Sequence, residues 1–375
     1  MRIVCAKSAL VDAINTASKA VSSKATMPIL ECCLLTAEKR GGVFKITAND
    51  MELAIETKPI EAEVLEDGCV ALDSKVFFDI VRRLPGDSVE IHSDDKNLTV
   101  ISSNKSEFKI LGMDGAEFPA IPEYLDDDKK AFSMSSNDLK NMIRQTIFSV
   151  SQDASKPVLC GVLMDISGGV AKMVSVDGFR ISLRKYDFGE VADTVDIKVV
   201  IPGKTLAEIS KILPADADSI TSFYTTDRHI VFELDNAIVV SRLVDGEFIN
   251  YENMMVKNSE TRITVERVGL MESIERAALI SRDSKKSPVK LKIDDSKIVV
   301  TSNTEMGASY EEIAAEQDGP GLEIAFNPRY ITDVMKVLDQ ERVIMEFNTA
   351  LSPCIIKVEG DDGFEYLVLP LRLRN

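Results

Sequence analysis

Histidine is scarce: the 375 residues hold only His92 and His229, far apart in the chain. That argues against a zinc site and against a Ser-His-Asp or Cys-His catalytic set. Cysteine is limited to Cys5, Cys32, Cys33, Cys69, Cys160 and Cys354, with no C-x-x-C pair. Four of these sit among apolar neighbours at strand-like positions, as buried reduced thiols do. No apolar run reaches 18 residues, and the start, MRIVCAKSAL, has neither the long apolar stretch nor the cleavage site of a signal peptide. A cytoplasmic protein with no membrane segment is expected. Positive charge is also short, with 44 Lys and Arg against 61 Asp and Glu, a net charge of −17. Taken alone this argues against tight nucleic-acid binding. What remains, 45% hydrophobic and 28% charged, is the composition of a globular protein.

What the chain does have is repetition. A proline-apolar step recurs as TMPIL, SKPVL and KSPVKL, placing Pro28, Pro157 and Pro288 at intervals of 129 and 131 residues. A second landmark follows each: ITANDMELAI around Asp50, VSVDGFRISL around Asp177 and VTSNTEMGAS around Thr304, both intervals being 127. A third is a helical segment behind an extended one, in ALDSKVFFDIVRRLP, VIPGKTLAEISKILP and IAFNPRYITDVMKVLD. The period is far beyond that of solenoids, so each copy is a whole domain able to bury its own core. Polar, proline-bearing or irregular joints at Pro119–Lys130 and Tyr251–Glu260 predict domains over 1–122, 130–253 and 260–375.

Each copy carries two helical faces. Leu10, Ile14, Ala17 and Val21, then Leu139, Ile143, Ile147 and Val150, then Leu270, Ile274 and Ala277 mark the first helices. Phe77, Val81 and Leu84, then Leu206, Ile209 and Leu213, then Ile331, Met335 and Leu338 mark the second. Asn327-Pro328 is a start signal, and Pro85 and Pro214 are stops. Elsewhere the period falls to two, as in VFKITAN, VAKMVSV and VKLKID, which predicts half-buried antiparallel strands. The fold class is α+β, with sheets backed by helices.

Charge is sorted by element. In chain order the six helical segments carry +1, +2, +1, +1, 0 and +1, together +6, so the rest of the chain carries −23. Lys7, Lys19, Lys75, Arg82, Arg83, Lys140, Arg144, Lys204, Lys211, Arg267, Arg276, Arg282, Arg329 and Lys336 supply the cations. Helices tolerate Lys and Arg on outer faces, which is one explanation; a shared face toward a polyanion is the other. A helix is about 10 Å wide, so six in a ring leave a hole of about 10 Å and twelve leave roughly 28 Å. A duplex, on the order of 20 Å across, passes only the larger one. Encirclement therefore requires two chains joined head to tail.

Three copies in this order, TMPIL after the first helix, DGFR in the second copy, LVDGEFINY closing it and a terminal LVLPLRL together resemble the bacterial DNA sliding clamp, the beta subunit of the replicative polymerase. The resemblance spans essentially the whole chain. It implies a DNA clamp fold, sheets outside and two helices per domain inside, with each chain forming half of a closed ring. It implies a homodimer around duplex DNA, a clamp loader as partner, and tethering of replicative and other polymerases, mismatch-repair and ligase-type factors. It implies no catalysis, no cofactor and no metal, and a cytoplasmic, nucleoid-associated place of action.

Residue by residue, the family's groove for a short partner peptide maps to Leu159, Val176, Gly178, Phe179, Arg180, Ile181, Ile249, Met254, Asn327, Tyr330, Leu351 and Pro353, floored by Leu367, Val368, Leu369, Pro370, Leu371, Arg372 and Leu373. Phe179 stands where histidine is common, Ile249 where proline is, and Leu369 and Leu371 where methionine is frequent, so the groove stays apolar while peptide preference shifts. Pro370 independently marks the terminus as irregular, since it cannot donate to a ladder. Lys24 matches a DNA-contacting position, and Lys75, Arg82, Arg83, Lys140, Arg144, Lys204 and Lys211 are the helix cations expected beside DNA. Phe108 and Ile110 match one side of the family's dimer contact; Leu279, Ile280, Glu305, Glu311 and Glu312 match the other.

Two local motifs do not survive inspection. PGKT at Pro202–Thr205 resembles the end of a phosphate-binding loop, but Lys198 stands where its first glycine belongs. The Asp126-Asp127-Asp128 run is a solvated linker rather than a metal site. An enzyme using scattered carboxylates and magnesium on phosphates, or a scaffold that never meets DNA, are the competing functions.

Overall fold

The six predicted helices are the six α-helices of the described residues: α1 (Lys7–Ala17), α2 (Ser74–Arg83), α3 (Ser136–Thr146), α4 (Gly203–Ile212), α5 (Arg267–Ala277) and α6 (Pro328–Val337). The computed structural model describes the chain apart from residues 23–26, 123–131, 190–195, 215, 217, 256–257, 282–287 and 373–375. Lys24, Arg282, Leu373 and the Asp126–Asp128 run lie outside the described residues, as do parts of both expected joints. No described helix is long and apolar enough to cross a membrane.

Helix faces follow the apolar period. Leu10, Ile14, Phe77, Val81, Leu139, Ile143, Leu206, Ile209, Leu270, Ile274, Ile331 and Met335 are all buried. Val21, Ile147 and Val150 fall past the helix ends and are only half-buried. Starts are set by side-chain oxygens: Asp73 Oδ1 accepts from the Val76 amide at 2.8 Å and Asn327 Oδ1 from the Arg329 amide at 3.0 Å. Such a cap contributes about 1 kcal/mol. Two half-buried helix cations bond to backbone within the fold. Lys7 donates to the Leu84 carbonyl at 2.5 Å, and Arg267 to those of Gln340 and Met335 at 2.7 and 2.8 Å. They close carbonyls left open where α2 and α6 end, a local structural role for this pair.

The 127-residue landmark becomes the same hairpin three times. It joins Val43–Asn49 to Leu53–Thr57, Val170–Val176 to Arg180–Asp187, and Lys297–Thr304 to Gly307–Asp318. In each, a side-chain oxygen at the turn accepts a backbone amide two residues on: Asp50 from Glu52, Asp177 from Phe179 and Thr304 from Met306. The proline step is less uniform. Pro28–Glu31 and Pro157–Cys160 are 3-10 turns, whereas Pro288 leads straight into the Val289–Asp294 strand.

The three sheets of the described residues are antiparallel, and the chain forms two compact units that do not follow the repeats. The first unit, Met1–Leu139 with Lys204–Leu243, holds a five-stranded and a nine-stranded sheet. The second, Lys140–Gly203 with Val244–Asn375, holds one sheet of twelve strands. The reason is that the middle copy divides its strands. Phe132–Ser135 and the three strands within 220–242 complete the nine-stranded sheet, while the strands between Gly161 and Pro202 join the twelve-stranded one.

One pairing rule operates in both units. The strand after the landmark turn of one copy bonds to the final long strand of the next copy. Leu53–Thr57 pairs with Ala237–Arg242, placing Ile55 opposite Val239. Arg180–Asp187 pairs with Asp361–Val368, placing Ile181 opposite Leu367.

Candidate functional site

In the second unit the Asp177-Gly178 turn sends adjacent side chains opposite ways. Asp177 Oδ1 accepts from the amides of Phe179 and Arg180 at 2.9 and 3.1 Å, and Gly178 takes φ +91°, which suits a residue without Cβ. Phe179 is pushed outward, 52% exposed, with its ring stacked on Tyr330 at 6.0 Å between centroids. Arg180 turns inward and is only 7% exposed. Its guanidinium donates to Asp177 Oδ2 at 2.9 Å, Asp333 Oδ2 at 2.8 Å and the Phe148 carbonyl at 2.6 Å. It also lies 4.7 Å from the Tyr330 ring centroid and 5.2 Å from that of Phe148. Two carboxylates, a carbonyl and two aromatic faces thus compensate the buried cation. Burial, reinforced by the Asp177 carboxylate, holds the Tyr330 hydroxyl above its ordinary pKa.

The apolar residues of the expected groove come from both repeats of this unit. Val176, Ile181 and Leu367 share one core cluster with Phe248, Tyr251 and Ile355, and Leu159 and Ile249 pack against it half-buried. Asn327 caps α6, and its carbonyl accepts the Tyr330 amide at 3.1 Å, which fixes Tyr330 on the first turn. The terminal strand stops at Val368, two residues before Pro370. Beyond it the Leu369 amide donates to the Phe179 carbonyl at 2.8 Å, and the Leu371 amide to the Ala325 carbonyl at 2.7 Å. Val368, expected in the floor, is fully buried in the neighbouring core. Leu369, Met254 and Leu351 remain exposed apolar groups, Pro353, Pro370 and Leu371 are half-buried, and Arg372 is exposed. Sequence reasoning missed Phe148 and Asp333, which lie 32 and 153 residues from Arg180 and carry no local signal of their role.

Most helix cations expected beside DNA already touch a carboxylate. Arg82 and Arg83 lie 3.5 and 3.7 Å from Asp79, Arg144 lies 2.5 Å from Asp339, Lys204 lies 2.7 Å from Asp50 and Lys211 lies 2.7 Å from Glu208. Lys75 is exposed and Lys140 half-buried.

Two strands are left over from the pairing rule. Ser106–Leu111, the final long strand of the first copy, ends the five-stranded sheet, with Phe108 42% exposed and Ile110 half-buried. Gly307–Asp318 follows the landmark turn of the third copy. It bonds along 307–314 to Lys297–Thr304 on one side, while Thr261–Glu266 covers only Ala315–Asp318 on the other. Among the described residues the second edge of 307–314 is therefore open. Close to it, Arg276 holds Glu311 at 2.7 Å, and a cavity of about 540 Å³ is lined by Arg276, Leu279, Pro328 and Thr332. Leu279 and Glu305 are exposed, Ile280 is half-buried, and Glu312 is bonded by Lys297 and Tyr310 at 3.2 and 2.8 Å. Tyr310, Met306 and Leu111, all exposed at these edges, were not singled out from sequence.

Buried thiols behave as structure. Desolvation lifts Cys5 and Cys33 to about 12 and Cys32 to about 11, and Cys354 is also raised. Cys69 is exposed.

Comparison with known proteins agrees along the whole length. Models of the DNA polymerase III beta subunit match in order: its N-terminal domain over residues 1–122, its central domain over 133–250 and its C-terminal domain over 253–372. The beta sliding clamp of Halalkalibacterium halodurans is 34% identical, covering 99% of this chain and 100% of that protein, and the Bacillus subtilis beta sliding clamp is 32% identical with the same coverage. A crystal structure of a DNA polymerase III beta subunit from Eubacterium rectale superposes with a TM-score of 0.94 at 39% identity, and that of the Bacillus subtilis polymerase sliding clamp with 0.94 at 32%, both covering 100% of each chain. With three successive domain models and full-length relatives in agreement, the chain belongs to the DNA polymerase III beta subunit family, the beta sliding clamps.

Proposed function

We propose that two copies of this chain close head to tail into a ring around duplex DNA, and that the ring tethers proteins carrying short peptides that seat beside Phe179, Tyr330 and the C-terminal segment. As a beta clamp the chain is a processivity factor of DNA replication rather than an enzyme. The observation that carries the ring is the pairing rule. Two junctions use it within the chain, and the strands it leaves over are one of each kind. Ser106–Leu111 of one copy and Gly307–Ala314 of another satisfy the same rule between chains, and do so twice in a closed dimer. An unpaired apolar edge such as SEFKIL is otherwise an aggregation hazard.

Each chain then supplies three domains, over 1–122, 130–253 and 260–375, and the ring holds twelve helices. The partners are a clamp loader, replicative and other polymerases, and mismatch-repair and ligase-type factors, acting in the cytoplasm at the nucleoid. The exposed apolar groups Phe179, Leu369, Met254 and Leu351 favour the second unit as the peptide-binding region.

Retention separates this function from its rivals. Protein loaded on nicked circular DNA should stay bound when excess linear duplex is added and should leave once the circle is cut. Immediate loss from the intact circle would defeat topological tethering and favour a scaffold; turnover of nucleotide or DNA by the purified protein would favour an enzyme.

A further inference from the structure

The helix cations are paired in a pattern that goes beyond surface decoration. Asp79 and Glu208 each lie one turn from a basic residue of the same helix, at 3.5 Å from Arg82 and 2.7 Å from Lys211. The others come from elsewhere in the fold. Asp339, just after α6, reaches Arg144 of α3 at 2.5 Å, and Glu275 of α5 reaches Lys336 of α6 at 2.7 Å. Asp50 is the most constrained. Its Oδ1 accepts from the Glu52 and Leu53 amides at 3.1 and 2.8 Å, which leaves Oδ2 held 2.7 Å from Lys204 Nζ. That carboxylate is 7% exposed while the lysine is 71% exposed.

We propose that these carboxylates are resident counterions, which keep the ring's hold on duplex weak and nearly independent of salt. The inference rests on the DNA-facing assignment of the helices made above. A bare cation that meets a phosphate releases condensed salt ions, and each such contact adds about 0.9 to the slope of log affinity against log salt. A cation already matched by a carboxylate must first give up that partner. Little net charge is neutralised, and the contact contributes little affinity and little friction. A protein retained by topology needs no more than this, and a sliding one is hindered by more.

The test uses the intact dimer and a short linear duplex, with affinity measured across a salt series. One variant combines Asp50→Asn, Asp79→Asn, Glu208→Gln and Asp339→Asn, which keep shape and remove charge. A second combines Arg82→Glu, Lys204→Glu and Lys211→Glu. The first should bind more tightly, by about tenfold or more at low salt, with a slope steeper by up to about one unit per freed cation; the second should bind more weakly. If the second weakens binding while the first matches the parent in affinity and slope, the counterion role is overturned and the DNA-facing assignment stands. If the second leaves binding unchanged, that assignment fails and this proposal with it. Single Asp50→Asn and Glu208→Gln variants, with dimer mass checked, give the same readout should the fourfold variant not fold.

Discussion

Replacing Arg180 with alanine would leave Asp177, among the described residues, without a cation and Asp333 with Arg329, 3.5 Å away. Removing one partner from a buried charged network costs roughly 3–5 kcal/mol, so the urea midpoint of the second unit's transition should fall markedly. Arg180→Lys should recover little of it, because lysine cannot serve both carboxylates and two ring faces at once. Phe179→Ala is the contrasting case. The ring is half in solvent, so stability should hold while affinity for a polymerase-tail peptide drops about tenfold or more, measured by fluorescence anisotropy. Unchanged affinity would remove Phe179 from the groove. The thiols set a pH limit. Cys5 and Cys33 are raised from 9.0 to about 12, so the folded chain resists their ionisation. Their stabilising effect is complete below pH 9 and fades as pH climbs toward 12, and urea midpoints should fall between about pH 8 and about pH 10.5. A midpoint that rose over that range would contradict their burial. Arg180 also shows where sequence stops informing. The Asp-Gly turn was legible because its bonds span two or three residues, while Phe148 and Asp333 reach it only through the tertiary fold.

At the scale of elements, helices were the most legible because a 3.6-residue apolar period needs no partner to be seen. Leu270, Ile274 and Ala277 are spaced for one face, and that face is buried. Strand existence was fairly legible, but sheet membership was not. The longest strand, Gly307–Asp318, reads GASYEEIAAEQD, and its alternate positions are half-buried rather than buried, so its polar composition hides a two-residue period. Nothing local says that Leu53–Thr57 bonds to a strand some 180 residues later. The C-terminal segment is a short element with a separable role. Its strand ends at Val368, and beyond that point described backbone bonds run to Phe179 and Ala325. Deleting residues 371–375 should therefore abolish capture of a polymerase-tail peptide and leave the dimer intact. Loss of both would mean that the terminus is merely structural.

For the whole molecule, net charge was a misleading guide until it was resolved by element. A protein at −17 looks unsuited to DNA, yet most of the expected DNA-facing cations stand beside carboxylates on short helices. In the proposed ring, topological retention makes weak electrostatic contact sufficient, and pairing of the two strand edges would supply the topology. The measurement that bears most directly on this account is the mass of the protein in dilute solution by light scattering, taken with Phe108→Asp and Ile280→Asp variants. The parent should show twice the 41.3 kDa chain and the variants one chain. A parent that stays single, or variants that keep the doubled mass, would contradict closure through Phe108 and Ile280.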